Sequence, residues 1–292
     1  MPKPRSQQIS LSDTPYYHIQ SRTVRKAFLC GVDEATGMNY EHRRDWIEAR
    51  IFELSQTFAI DICAYAVMHN HLHLVLHVDT AQVNNWSTLE VLTRWHQLYK
   101  GTHLTRQYLQ QQTLNEYERE MVEDTSNIYK QRLIDISWFM RSLNEPIARQ
   151  ANKEDECKGH FWEGRFQSQA LLDEGALLSC MAYVDLNPVR AAIVPTPEQS
   201  DFTSIQLRIK AAIKGTQPTA LLPFIGHEHQ DKTRGICFSL QDYLMLVDET
   251  GRILRDDKRG AINSETTAIL TRLHISNESW MKLTTNFEGI FT

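Results

Sequence analysis

The sequence predicts a fold that combines a β-sheet with α-helices, and three observations support this prediction. Two apolar runs, at 59–67 and 71–78, are separated by only three residues, which is typical of neighbouring strands in one sheet. The second run, HLHLVLHV, alternates strictly, as a strand with two different faces does. Apolar residues at helical spacing recur through 41–58 and through much of 84–150, which predicts amphipathic helices.

The elements before residue 172 follow from local patterns. A mixture of aromatic, β-branched and basic residues predicts the first strand at 16–29, and the apolar stripe at 41–58 predicts the first helix. Helices are predicted through 84–150, where Pro146 is expected to bend or end the last one because proline cannot donate a backbone hydrogen bond. The segment 165–172 predicts another strand.

Helix signals dominate the chain after residue 172. Asp173 is a suitable N-cap for a helix that runs to Asn187, where a following proline disfavours helical backbone. Pro195 and Pro197 indicate a linker, and Ser239 is a suitable N-cap for a later helix. We therefore predict a main domain at 1–194, with a helical extension at about 82–150, and a small, mainly helical region at 195–292.

Composition excludes several classes of protein. The chain has 292 residues, 41% hydrophobic and 23% charged, and no apolar run near the roughly 18 residues that a membrane span needs. No apolar segment follows the basic residues at the start, so we expect no secretory signal and a cytoplasmic location. The net charge of −5 argues against nonspecific coating of polyanions, so any nucleic-acid binding requires a local basic surface. Five cysteines without close spacing indicate neither a disulfide framework nor a zinc-finger site.

Two pairs of residues have spacings that suit chemistry at a phosphate. His71 and His73 share one face of a predicted strand, about 6 to 7 Å apart at the backbone, where two imidazoles can reach one divalent cation. Tyr183 and Asn187 are four residues apart on one predicted helix, so a phenol lies beside a carboxamide oxygen. A polar stripe on a sheet and a half-buried tyrosine before a helix end are the structural alternatives, and spacing alone leaves them open.

The order of three longer motifs identifies a family resemblance. The motifs are MHNHLH at 68–73, FWEGRF at 161–166 and AYVDLNPVRAAIV at 182–194. With the strand end Tyr17-His18-Ile19, they extend over about two-thirds of the chain. The sequence thus resembles the single-tyrosine HUH transposases, and more closely the REP-associated tyrosine transposases, which are small single-strand DNA endonucleases.

The resemblance implies both a fold and a set of site residues. The fold would be α+β, a ferredoxin-like or RRM-like antiparallel sheet with helices on one face. His71 and His73 would bind Mg²⁺ or Mn²⁺, and Asn187 would complete the metal shell. Tyr183 would attack the scissile phosphate and form a 5′-phosphotyrosine. The partner would be single-stranded or hairpin DNA of the repetitive extragenic palindrome type. The protein would be a monomer or homodimer that associates with the nucleoid and not with a membrane.

Residues that could hold this DNA lie at the end of the first predicted strand and near the predicted catalytic elements. Aromatic and guanidinium planes stack on unpaired bases, and cations neutralise phosphates. The candidates are Arg22, Arg25, Lys26, Trp162, Arg165 and Arg190. Each also has a structural alternative, as a core residue, an ion-pair partner or a solvated charge.

Three functions are compatible with these patterns. The favoured one is a metal-dependent transposase or nickase that uses Tyr183. The second is a non-catalytic regulator that binds repeat DNA and descends from such an enzyme. The third is a metallohydrolase with an HxH motif, which ranks last because the downstream histidines His96, His103 and His160 lie in helical or loop contexts.

Overall fold

The computed structural model describes most of the chain. The described residues are 9–24, 28–33, 36–226, 234–253 and 258–272. No helix within these ranges has both the length and the apolar composition required to cross a lipid bilayer.

The fold is built on a four-stranded antiparallel sheet. The strands are β1 Tyr16–Arg22, β2 Ile60–Val67, β3 His71–Val78 and β4 Gln167–Ala170. Their order across the sheet is β2-β3-β1-β4, and every neighbouring pair is antiparallel. The α+β class with an antiparallel sheet, expected from the sequence, is confirmed. β1 ends at Arg22, seven residues earlier than the predicted strand, and Thr23 pairs with Trp162 as an isolated bridge outside the sheet strands.

Eleven α-helices are present in the described ranges. Those before β4 are α1 Arg43–Thr57, α2 Thr80–Asn84, α3 Thr88–Leu98, α4 His103–Leu109, α5 Glu116–Leu133 and α6 Ile136–Glu154. Those after β4 are α7 Glu174–Asp185, α8 Asn187–Arg190, α9 Ser204–Ala212, α10 Leu240–Arg252 and α11 Ile269–Arg272. A short 3₁₀ turn, Pro197–Gln199, precedes α9.

Helices cover both faces of the sheet, whereas the resemblance implies helices on one face only. Tyr17 and Leu74 point to one face of the sheet, where they share a buried cluster with residues of α1 and α6. Ala64 and Val75 point to the opposite face, where they share a second cluster with α7, α9 and α10. Helices before and after residue 194 therefore contribute to the same cluster. The predicted division into a domain at 1–194 and a helical region at 195–292 stays a prediction.

Helix α6 continues through Pro146 for two further turns, so the predicted end of the helix there is wrong, while the predicted bend stays a prediction. Proline at this position removes the backbone donor to the carbonyl of Ser142, four residues earlier. The Nε of Arg50, on α1, donates to that carbonyl at 3.0 Å instead. A side chain from a neighbouring helix thus satisfies the acceptor that proline leaves free.

Local capping signals are confirmed at two helices. The Asp173 side chain accepts a hydrogen bond from the backbone N–H of Ala176 at 2.7 Å and begins α7, and the Ser239 hydroxyl accepts one from Asp242 at 3.4 Å and begins α10. Helix α7 ends at Asp185, two residues earlier than predicted, because Leu186 forms its C-cap and α8 begins directly after it. Tyr183 and Asn187, predicted on one helix, thus lie on two consecutive helices, α7 and α8.

Candidate active site

The two histidines of the HLH motif lie side by side on one face of β3. Their ring centroids are 4.8 Å apart and the ring planes are nearly perpendicular, at 89°. β1 provides the cross-strand neighbours, since Arg22 is opposite His71 and Gln20 is opposite His73. The shared face that the alternating pattern predicts is confirmed.

His71 has one ring nitrogen free for a ligand. Its Nδ1 lies 2.7 Å from the Asn70 side-chain oxygen, which can only accept a hydrogen bond, so Nδ1 carries the proton. Burial, helped by electrostatic repulsion from Arg22 and from His69 when it is protonated, lowers the pKa of His71 to about 4. At neutral pH the ring is therefore neutral, with the lone pair on Nε2.

His73 is more deeply buried and carries an unpartnered atom. Only 1% of this residue is exposed, and its Nε2 makes no hydrogen bond. Burial, with the neighbouring rings of His71 and His18, lowers the pKa of His73 to about 3, so this ring is also neutral at neutral pH. A buried polar atom without a partner is uncommon in proteins and requires an explanation, such as an absent ion.

His18 belongs to this cluster, although the sequence analysis gave it no role. Its Nε2 lies 3.0 Å from Nδ1 of His73, and the two rings stack at a centroid distance of 5.1 Å and an angle of 15°. The available signal was the alternation in β1, which places His18 on the same face as Gln20 and Arg22. That signal becomes informative only when β1 is known to pair with β3.

Tyr183 reaches the same cluster from helix α7. Its ring contacts His73 edge-on at a centroid distance of 5.6 Å and His18 at 6.1 Å. Helix α7 packs against β2 and β3, which holds the ring over the histidine face. The ring therefore lies close to the imidazoles. Because 42% of Tyr183 is exposed, the residue is also accessible to a macromolecule.

A buried hydrogen-bond network fixes the end of α7 below Tyr183. The carboxylate of Asp185 accepts hydrogen bonds from the Ser204 hydroxyl at 2.5 Å, the Ile205 backbone N–H at 2.9 Å and the Tyr243 hydroxyl at 2.5 Å. Burial raises the pKa of Asp185 to about 6, against the opposing effect of these donors. The donors come from α9 and α10, so both helices help to position α7.

Asn187 is the predicted ligand that the structure does not connect to the histidines. It begins α8, half-buried, and no hydrogen bond or ring contact among the described residues joins it to His71 or His73. In the same ranges, no three His, Cys, Asp or Glu side chains converge as a metal site. The free Nε2 atoms of the two histidines fit a cation held by two imidazoles, with further positions for oxygen ligands.

The predicted DNA-binding residues occupy different environments. Arg22 is at the surface, with 59% of its side chain exposed and a loose ion pair to Glu163 at 3.9 Å, and Arg165 is also exposed. Trp162 is half-buried, and its Nε1 donates to the backbone carbonyl of Asn144 at 2.8 Å. Arg25 and Lys26 lie outside the described residues.

Arg190 is buried rather than exposed. Its guanidinium donates to the backbone carbonyls of Thr250 and Ile253 at 2.5 and 2.6 Å, at the end of α10. These bonds add a charged donor to carbonyls at the C-terminus of the helix, where intrahelical donors run out. In the structure this side chain joins α8 to α10.

Comparisons with known proteins add one similarity. No protein-family model matches the chain, and no curated protein does. A solved structure described as the REP-associated tyrosine transposase bound to a REP hairpin matches with a TM-score of 0.41 and 12% identity. The match covers 75% of this chain and 89% of that one. The chain is thus similar to a REP-associated tyrosine transposase.

Proposed function

We propose that this protein is a metal-dependent endonuclease and strand transferase that nicks single-stranded or hairpin DNA through a 5′-phosphotyrosine. The observation that carries the proposal is the position of Tyr183, whose exposed ring lies edge-on against His73 and His18. The motif resemblance described above supports the class of substrate. Repeat DNA of the extragenic palindrome type is the proposed target.

His71 and His73 would hold a divalent cation, either Mg²⁺ or Mn²⁺, through their free Nε2 atoms. Neutral imidazoles are good ligands, and burial keeps both rings neutral because it lowers their pKa values to about 4 and 3. Asn187 remains the proposed third protein ligand. When bound, such a cation withdraws charge from a phosphate oxygen and favours in-line attack on phosphorus.

Tyr183 supplies the nucleophile in this proposal. Its hydroxyl loses a proton and forms a bond to phosphorus, and the bond from phosphorus to the 3′ oxygen breaks. The leaving oxygen keeps the electron pair and takes up a proton, which gives a free 3′ hydroxyl. The phosphotyrosine conserves the energy of the phosphodiester, so a second DNA end can reverse the reaction without ATP.

The proposal is tested by incubation of the protein with hairpin oligonucleotides that carry single-stranded flanks, in Mn²⁺ or Mg²⁺, followed by denaturing gel electrophoresis. We expect a covalent protein–DNA product with the wild type and none with Tyr183→Phe. Tyr117→Phe is the matched control, because Tyr117 is 69% exposed on α5, outside the histidine cluster. This control should form the product as the wild type does.

The same experiment decides between the enzyme and a binding protein. If the protein shifts the hairpin in a native gel but forms no covalent product with either metal, the protein is a non-catalytic regulator that binds repeat DNA. If Tyr183→Phe still forms the product, another residue is the nucleophile. Either result contradicts the proposed role of Tyr183.

A further inference from the structure

The contact between His18 and His73 uses one of the two ring nitrogens of His73. Nδ1 of His73 and Nε2 of His18 are 3.0 Å apart, in rings that stack at 15°. The other nitrogen of His73, Nε2, is buried and has no partner. The state of Nε2 therefore depends on which ring donates the hydrogen bond.

Only one proton lies between the two rings. A neutral imidazole, the form that histidine ordinarily takes above a pH of about 6.5, carries a single N–H, so each ring can donate from one nitrogen only. If His18 donates, the proton of His73 is on Nε2, where no acceptor is present. If His73 donates from Nδ1, its Nε2 has a free lone pair.

The second arrangement suits the surroundings of His73 better. A buried N–H group without an acceptor is rare in native proteins, because the group loses its hydrogen bonds to water and gains none. A lone pair on Nε2 is instead the form that binds a cation. Histidine ligands commonly donate their other N–H to a neighbouring group, which fixes both the tautomer and the ring orientation.

We propose that His18 is a positioning residue that accepts a hydrogen bond from Nδ1 of His73 and so directs the Nε2 lone pair of His73 toward the cation site. The cation itself rests on the proposed function. The hydrogen bond and the tautomer do not, because both exist in the protein without metal or DNA. They can therefore be measured separately from catalysis.

The first measurement is the tautomer of His73 in the metal-free, full-length protein. Long-range ¹H–¹⁵N spectra of ¹⁵N-histidine protein separate protonated from unprotonated ring nitrogens, and His73→Gln assigns the signals. We expect the Nδ1–H tautomer in the wild type and in His18→Gln, whose side-chain oxygen can accept the same bond. In His18→Leu, which has no acceptor, we expect the Nε2–H tautomer to become populated.

The second measurement is the affinity for Mn²⁺ alone, by electron paramagnetic resonance or calorimetry. We expect His18→Leu to weaken binding by about 10- to 100-fold, the usual effect of losing such a partner, and His18→Gln to stay within about threefold of the wild type. His77→Gln is the control, since His77 lies on the same strand but pairs with Asp61 at 2.9 Å. It should leave both the tautomer and the affinity unchanged.

The outcomes separate the two proposals. An Nε2–H tautomer for His73 in the wild type overturns the inference, and this result does not require His18→Leu to fold. Thermal unfolding checks the folding of each variant. Equal loss of Mn²⁺ affinity in His18→Gln and His18→Leu also overturns it, because a direct ligand or a packing role would then explain the effect. A wild-type protein that binds no Mn²⁺ rejects the cation chemistry, while the spectra still decide the hydrogen bond.

Discussion

The Tyr243 hydroxyl donates a hydrogen bond of 2.5 Å to the buried carboxylate of Asp185, and this bond joins α10 to the helix that carries Tyr183. Asp185 lies two residues after Tyr183, and it also accepts from Ser204 and the backbone of Ile205 on α9. Three donors from the C-terminal region thus converge on one acceptor in α7. The position of the proposed nucleophile depends on residues that follow it by 21 to 60 positions.

Replacement of Asp185 should therefore loosen α7. Asp185→Ala leaves the Ile205 N–H and the Tyr243 hydroxyl buried without this acceptor, and each such group costs about 1 to 3 kcal/mol. The Ser204 hydroxyl keeps the Tyr65 carbonyl as an acceptor, at 3.3 Å. Relief of the buried carboxylate offsets part of this cost, so we expect a loss of about 3 kcal/mol in the free energy of unfolding. Urea denaturation measures the loss. Tyr243→Phe, which removes one donor and leaves the others, should cost only about 1 kcal/mol.

Truncation after residue 194 should prevent stable folding. The region beyond it buries Ile205, Ile209 and Leu244 in the cluster that contains Ala64 and Val75 of the sheet, so its removal exposes this apolar face to water. We expect the 1–194 fragment to lack a cooperative unfolding transition in circular dichroism and to aggregate. A fragment that melts cooperatively near the wild-type temperature would show instead that 1–194 folds as an independent domain.

Local patterns predicted the elements well because their causes lie within a few residues. The alternation of HLHLVLHV defines both a strand and a face, and the side chains of Asp173 and Ser239 cap the helices that follow them. The role of His18 could not be predicted in this way. Its partner His73 is 55 residues away and becomes a neighbour only through the pairing of β1 with β3.

The continuous helix at Pro146 shows the same limit. Proline chemistry correctly predicts that the carbonyl of Ser142 loses its donor, but not that Arg50, 92 residues earlier, replaces it. An end to the helix at Pro146 was a sound local prediction, and the donor that replaces the missing one comes from a tertiary contact. The network around Asp185 likewise joins three separate segments, and no single segment of the sequence indicates it.

The contact at Pro146 can be measured with a double-mutant cycle. Arg50→Met removes the donor to the Ser142 carbonyl and should lower the free energy of unfolding by about 1 kcal/mol. In the Pro146→Ala background the new backbone N–H can donate to that carbonyl, so the cost of Arg50→Met should fall to a few tenths of a kcal/mol. Additive effects of the two substitutions, within about 0.3 kcal/mol, would contradict the compensation.

If the protein binds hairpin DNA as proposed, the exposed side chains of Arg22 and Arg165 should contribute to the affinity through their charge. If Arg22 and Arg165 each contact a phosphate, substitution by alanine should weaken hairpin binding and reduce the salt dependence of the affinity by about one counterion per arginine. Fluorescence anisotropy at several salt concentrations measures both quantities. A salt slope unchanged in the double variant would exclude these residues from the DNA interface.

Arg190→Ala provides the contrast, because the structure gives this arginine a different role. Its buried guanidinium donates to the carbonyls of Thr250 and Ile253, so the substitution removes two charge-assisted hydrogen bonds that join α8 to α10. Hydrogen bonds to charged groups contribute about 1.5 to 3 kcal/mol each, and we expect a loss of stability of this order. The salt slope of hairpin binding should remain that of the wild type at a temperature where the variant is folded. A reduced slope with unchanged stability would place Arg190 at the DNA instead, as the sequence analysis predicted.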